Sequence, residues 1–229
     1  MHVVERYAAW ACAWRREAIA GEVAHHARRA VIDWHAALYP GLVVPPATLL
    51  KRAIPDESVR TLALINGAAA HTVEVDDIYR DGIYHPGAPT IAAAHALGFE
   101  RPHFLRAVIV GYEISTRIGA AMGRAHYRYW HNTGTIGCFG AAAAAAEVLQ
   151  VDERQFAHAL ATVATFAAAL QQAFRMDSMS KPLHAGRAAE AGVTAALAAR
   201  EGVTGSLDIL EGEAGFGRAM GDNPDWERA

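Results

Sequence analysis

Lysine is almost missing from this chain: of its 21 Lys and Arg residues only Lys51 and Lys181 are lysines, so arginine serves nearly everywhere a cation is needed. Cysteine is as scarce. Cys12 and Cys138 lie far apart in apolar sequence with no metal-ligand spacing, which excludes a disulfide framework and reads as buried free thiols in a reducing compartment. There is no excess of basic charge either. The formal net charge is -3, the pI is near 6.4 and the arginines are interleaved with acids, so the footprint of a nucleic-acid binder is absent. Long hydrophobic runs are lacking too: the longest, Ile136 to Leu149, falls short of the about 20 residues of a membrane span and contains Glu147. The opening MHVVERYAAW carries an acid where a signal peptide has a basic region. The reading is therefore a cytoplasmic protein, with neither nucleic acid nor membrane as partner.

Alternating β-branched sequence is also scarce, and what fills the chain is alanine at helical spacing. The pattern predicts one all-α domain, a helical bundle over residues 1–229, with a tail at about 218–229 polar enough to be disordered. Helices are expected over Val3 to Ala20 and Glu22 to Leu38, the second ended by Tyr39-Pro40-Gly41, and Val43 to Pro55 is expected to be a connection. Pro55-Asp56-Glu57 reads as the start of a helix running past Leu62, Ile65 and Ala69. Further helices are expected over Thr90 to Leu97, Pro102 to Met122, the small-residue stretch TGTIGCFGAAAAAAEVL, FAHALATVATFAAAL, and Leu183 to Glu201.

Three polar stretches interrupt the helices and carry the residues capable of chemistry: Glu74 to His85, His126 to Thr133, and Ser178 to His184. Lys181 stands out by composition, since a chain that otherwise uses arginine places here a compact, titratable ammonium; a solvated surface lysine is the plain alternative. His85 precedes Pro86, which biases it to extended backbone at a turn, although a turn histidine can simply lead into the next helix. His131 can belong to an ordinary helix start before Asn132-Thr133, and His184 to a helix's first turn. Asp76 and Asp77 make a poor metal pair, because neighbours on a helix diverge by about 100°. No metal is expected.

The blocks NGAAAHTVEVDDIYRDGIYHPGAPTIAAAHALG, GYEISTRIG, HNTGTIGCFGAAAAAAEVL, SKPLHAGRAAEAGVTAALAAREGVTG and LEGEAGFGRAM resemble those of the MmgE/PrpD family in the same order and at similar spacing, and VIDWHAALYPG resembles its early helix. The resemblance implies a large all-α domain followed by a smaller α/β lid, a homodimer, and a reaction that uses no metal or organic cofactor. It implies proton removal beside a carboxylate, followed by loss of water, loss of CO2 or reprotonation. The family's two active-site histidines fall on His85 and His131 and its lysine on Lys181, which become the catalytic candidates. Glu74 and Asp77 match its acids and, with Thr133 and His184, become the substrate-binding candidates.

Two departures stand out. Ile78 replaces the hydroxyl residue that usually follows the Asp-Asp pair, and the stretch from Asp77 to His85 is about one residue longer than the family pattern. The sequence given stops after the EAGFG block, where the family continues into its lid, so the domain is expected to lack that lid. The resulting expectation is a cofactor-independent lyase or isomerase acting on a small acidic or carbonyl-containing molecule. The alternative is a non-catalytic helical dimerisation subunit, or one half of a split enzyme whose lid is a separate chain.

Overall fold

A computed structural model describes residues 1–229, and in it the alanine-rich periodic segments form eleven α-helices. They are α1 (Val3–Trp14), α2 (Gly21–Leu42), α3 (Ala47–Ala53), α4 (Val59–Ala70), α5 (Gly87–Gly98), α6 (Phe104–Met122), α7 (Asn132–Thr135), α8 (Gly137–Val148), α9 (Glu153–Ala164), α10 (Ser180–Arg200) and α11 (Phe216–Met220). No sheet forms; two isolated bridges, Tyr79 with Tyr84 and Trp130 with Leu170, are the only extended pairings.

The sequence of α8 has no polar face, and every one of its residues is buried. A helix apolar all round belongs at the centre of a bundle, and α8 packs against α5, α6, α9 and α10. One apolar cluster lies on its side towards α1, α6 and α9, around Ile114, Phe139 and Leu160; the other lies towards α2, α4 and α5, around Trp34, Ile91 and Val193. Small residues set the spacing. A Cβ on Gly111 would lie 2.6 Å from the Gly140 carbonyl, and one on Gly140 would lie 2.8 Å from Ser115 Oγ, so α6 and α8 approach closely only because both positions are glycine. The one carboxylate inside α8, Glu147, is fully buried and is met by Arg15 Nε at 2.8 Å, while Arg15 also donates to the Val151 carbonyl at 2.7 Å.

The expected all-α architecture is the one found, and the differences lie at element ends. α1 stops at Trp14 rather than Ala20. α2 runs through Pro40 to Leu42, because its last turn is held by packing: a Cβ on Gly41 would sit 1.9 Å from the Ala69 carbonyl of α4. The expected connection from Val43 to Pro55 contains α3. α4 is capped by Ser58, whose Oγ accepts from the Thr61 amide, so the helix starts after the Pro-Asp-Glu sequence. α10 begins at Ser180 and takes Lys181 and His184 out of the polar loop into its first two turns. The tail at 218–229, expected to be disordered, packs on α6: the Asp225 amide donates to the Ala121 carbonyl at 2.9 Å, and Trp226 lies against Gly217.

Candidate functional site

The acidic stretch leaves α4 at His71, which caps the helix and is completely buried. The chain then turns through Glu74 in the left-handed region (φ 54°), reverses at Gly82-Ile83, and closes on itself where the Tyr79 amide donates to the Tyr84 carbonyl at 2.8 Å. Three contacts pin this loop to the bundle. Tyr84 Oη donates to Ser115 Oγ on α6 at 2.8 Å, Asn132 Nδ2 donates to the Gly82 carbonyl at 2.6 Å, and the His85 amide donates to Thr133 Oγ1 at 3.2 Å. His85 is thus fixed immediately before α5, beside the short helix α7 that follows His131.

Four imidazoles meet here. The His71 ring lies 4.7 Å from that of His85 and is stacked 5.3 Å from that of His131. His131 is 2 % exposed, and its Nδ1 lies 3.0 Å from Nδ1 of His184 on α10, so one of these nitrogens carries a proton and the other accepts it. Phe174 packs edge-on against His131 at 4.6 Å and lies under Lys181, whose Nζ is 5.0 Å from the ring centroid and is paired with Glu74. His85, His131, Lys181, Glu74, Thr133 and His184 therefore gather at one end of the bundle. Asp77 is oriented otherwise. Its Oδ1 accepts from the Gly87 amide at the start of α5 and its Oδ2 from Tyr112 Oη at 2.7 Å, and it lines a cavity against His26, Arg29 and Asp33 of α2. Ile78, in place of a hydroxyl residue, is exposed.

The histidines differ in charge. Burial favours the neutral form of His85, but the neighbouring Asp76 carboxylate outweighs it and raises the pKa above the ordinary histidine value. His131 goes strongly the other way, through burial first and then the electrostatic influence of the neighbouring His71 and His184 imidazoles and the Lys181 ammonium, and so stays neutral. His184 is pushed down to about 4 by burial and by His71. Asp77 is pushed up to about 6 by burial, against the hydrogen bonds it accepts. Burial works to raise Asp76, yet hydrogen bonding and charge from His71 and His85 hold it well below the usual carboxylate range.

His71 and Asp76 were not among the site residues the sequence singled out. They are five residues apart across a helix end, where helical periodicity no longer reports which side chains meet. Phe174 was missed because an aromatic in a polar loop has many structural explanations. His71, Asp76 and His85 bring three donor atoms within 4.8 Å of one another, a set that could hold a metal ion and that the sequence argument, confined to Asp76 and Asp77, did not weigh. The 2.8 Å separation of His71 Nδ1 and Asp76 Oδ2 is that of a hydrogen bond already made, so an ion would have to displace its proton.

Beside the histidines a cavity of about 590 Å³ is lined by His184, Gly134, Leu170, Met176, Ser180 and Arg187 among others. No helix is long and apolar enough to cross a membrane.

Human cis-aconitate decarboxylase is 33% identical to this chain over 164 residues, covering 68% of the chain and 34% of the human protein. The mouse cis-aconitate decarboxylase is 30% identical over 164 residues, covering 68% of the chain and 33% of that protein. The matched segment is thus about a third of the length of these curated relatives. The family model for the MmgE/PrpD N-terminal domain matches residues 5–229, and the chain belongs to the MmgE/PrpD family.

Proposed function

We propose that this domain carries the acid-base site of a cofactor-independent lyase or isomerase that moves a proton next to a carboxylate of a small di- or tricarboxylic acid. The observation that supports it most is the gathering of His85, His131 and Lys181 from three separate stretches around His71 and Phe174. A reaction of this type needs a base with a pKa near its working pH, a fixed cation for the substrate's carboxylates, and a donor for the developing negative charge.

In this reading His85, raised by Asp76, takes the proton from the carbon beside the carboxylate and can return it. His131, held neutral by burial, gives a hydrogen bond to the enolate-like oxygen rather than a full charge. Lys181 is the cation, held by Glu74 until a substrate carboxylate competes for it. Thr133 fixes the His85 backbone, and Asp77 anchors the start of α5 two residues beyond it. The cavity beside His184, with Arg187 and Ser180 on its wall, takes the rest of the substrate. The cis-aconitate decarboxylase relatives make cis-aconitate the first compound to try, and the exposed Ile78, where the family has a hydroxyl, argues for widening the panel to other unsaturated and hydroxylated tricarboxylates.

The test is turnover on that panel, followed through the ultraviolet absorbance of the double bond and through CO2 release, for the unmodified chain and for His85→Ala, His131→Ala and Lys181→Ala. Each variant is expected to lose about 100-fold or more in kcat/KM while keeping its helical circular dichroism. Rates within a few-fold of the unmodified chain would remove these residues from the chemistry.

A further inference from the structure

We propose that Asp76 is the positioning residue of this site: its Oδ2, placed between Nδ1 of His71 and Nδ1 of His85, fixes His85 in the tautomer that leaves Nε2 unprotonated and available to substrate. The inference rests on His85 as the proton carrier, and it assigns the group that makes His85 fit for that role.

The geometry carries it. Asp76 Oδ2 is 2.8 Å from His71 Nδ1 and 3.3 Å from His85 Nδ1, and the Asp76 side chain is 1 % exposed. A buried carboxylate accepts and does not donate, so the proton on each facing imidazole resides on Nδ1. For His85 this has a directional result. The Nδ1 atom is buried, whereas its side chain as a whole is 21 % exposed, so solvent and substrate reach the ring from its far edge, where Nε2 lies. The 3.3 Å contact falls short of hydrogen-bond geometry, so His85 Nδ1 has no hydrogen-bond partner here, whereas His71 Nδ1 has one; catalytic contacts are often long in unliganded sites and tighten when substrate arrives.

His71 has a part in this. Fully buried at the end of α4, it donates to Asp76 and so orients the carboxylate before His85 meets it. The Thr133 contact holds His85 from its backbone, leaving Asp76 to set the rotation and proton position of its ring. A carboxylate that orients an imidazole and stabilises its protonated form is the arrangement a general base requires.

The experiment is a long-range proton–nitrogen correlation spectrum of the full chain labelled with nitrogen-15, recorded well above the histidine titration range, with the His85 signals identified by their loss in His85→Gln. The expected result is a neutral His85 with Nδ1 protonated and Nε2 bare. A His85 protonated on Nε2 overturns the proposal, and this measurement needs no Asp76 variant to fold. In Asp76→Asn the two tautomers of His85 are expected to mix and kcat to fall by about 10-fold or more with KM nearly unchanged. A variant that keeps the single tautomer, or that loses KM instead of kcat, counts against it. The tautomer is read without substrate, so the proposal is separable from the assignment beneath it: full activity in His85→Ala ends the catalytic reading whatever the spectrum shows.

Discussion

Replacing Arg15 with leucine removes the guanidinium that meets Glu147 inside the bundle and also empties the Val151 carbonyl of its donor. Glu147 is fully buried in the central helix, and Gln150 Nε2, 3.1 Å from its other oxygen, is the only side-chain donor left to it. Breaking a buried pair by deleting one partner costs about 3–5 kcal/mol, because the remaining charge is stranded. Arg15 retains 19 % side-chain exposure, and Gln150 still donates, so the lower end, about 3 kcal/mol, is expected here. Removing both charges, Arg15→Leu with Glu147→Leu, leaves nothing stranded and should recover most of that loss, to within about 1 kcal/mol of the original stability. Urea unfolding followed by circular dichroism measures both. With a slope of about 3 kcal/mol per molar urea, the single variant should unfold about 1 M earlier, and the double variant should return close to the starting midpoint. A single variant that loses less than about 1 kcal/mol, or a double variant less stable than the single, would refute the claim that a stranded carboxylate sets the cost.

Other expectations concern the site. His131 is buried and neutral, and the half-buried His184 is pushed down to about 4, so below the ordinary histidine pKa the unfolded chain takes up protons that the folded chain does not. Stability should therefore fall as pH drops from the histidine range towards 4, by up to about 1.4 kcal/mol per pH unit for each proton. Asp77, pushed up to about 6, works in the opposite sense within that window, so the comparison to make is the slope of urea stability against pH for the unmodified chain and for His184→Asn, which should be shallower. In turnover assays, kcat/KM should fall on the acid side as His85 becomes protonated, with an apparent pKa above the ordinary histidine value, and that midpoint should move down in Asp76→Asn. Lys181→Arg should not restore the activity lost in Lys181→Ala, since a planar fork pairs with Glu74 differently from a compact ammonium; recovery to near-normal rates would show that charge alone suffices. Gly134→Ala would place a Cβ 2.5 Å from Ala169 Cβ and 2.9 Å from His184 Cβ, and should raise KM or lower kcat by moving His184 off His131; unchanged kinetics would show that this contact is not used.

Alanine at helical spacing makes the all-α fold legible, and the small-residue stretch TGTIGCFGAAAAAAEVL, expected to be helical, forms α7 and the fully buried α8. Element ends were less legible for a definite reason: Pro40 is carried inside α2 by tertiary contact with α4, and the capping at Ser58 competes with an equally plausible acidic start at Asp56. The rarity of lysine pointed to Lys181, and the Pro after His85 pointed to a turn; both residues lie at the site end of the bundle. The burial of His131 and its contact with His184 join residues 53 positions apart, a distance at which local pattern carries no signal. The same holds for the sharing of Asp76 between His71 and His85, which depends on how the loop after α4 folds back. Asp77 shows the converse. A residue in a suggestive acidic pair spends both oxygens holding the start of α5 and the hydroxyl of Tyr112.

The most direct test of the account is whether one ligand reports on three distant residues at once. Citrate, a tricarboxylate, can be titrated into the isotopically labelled chain while the imidazole signals of His85 and His131 and the side-chain signals of Lys181 are followed together. The account predicts that all three shift along a single saturation curve with one Kd. Shifts confined to one of them, or curves with clearly different midpoints, would contradict a common site.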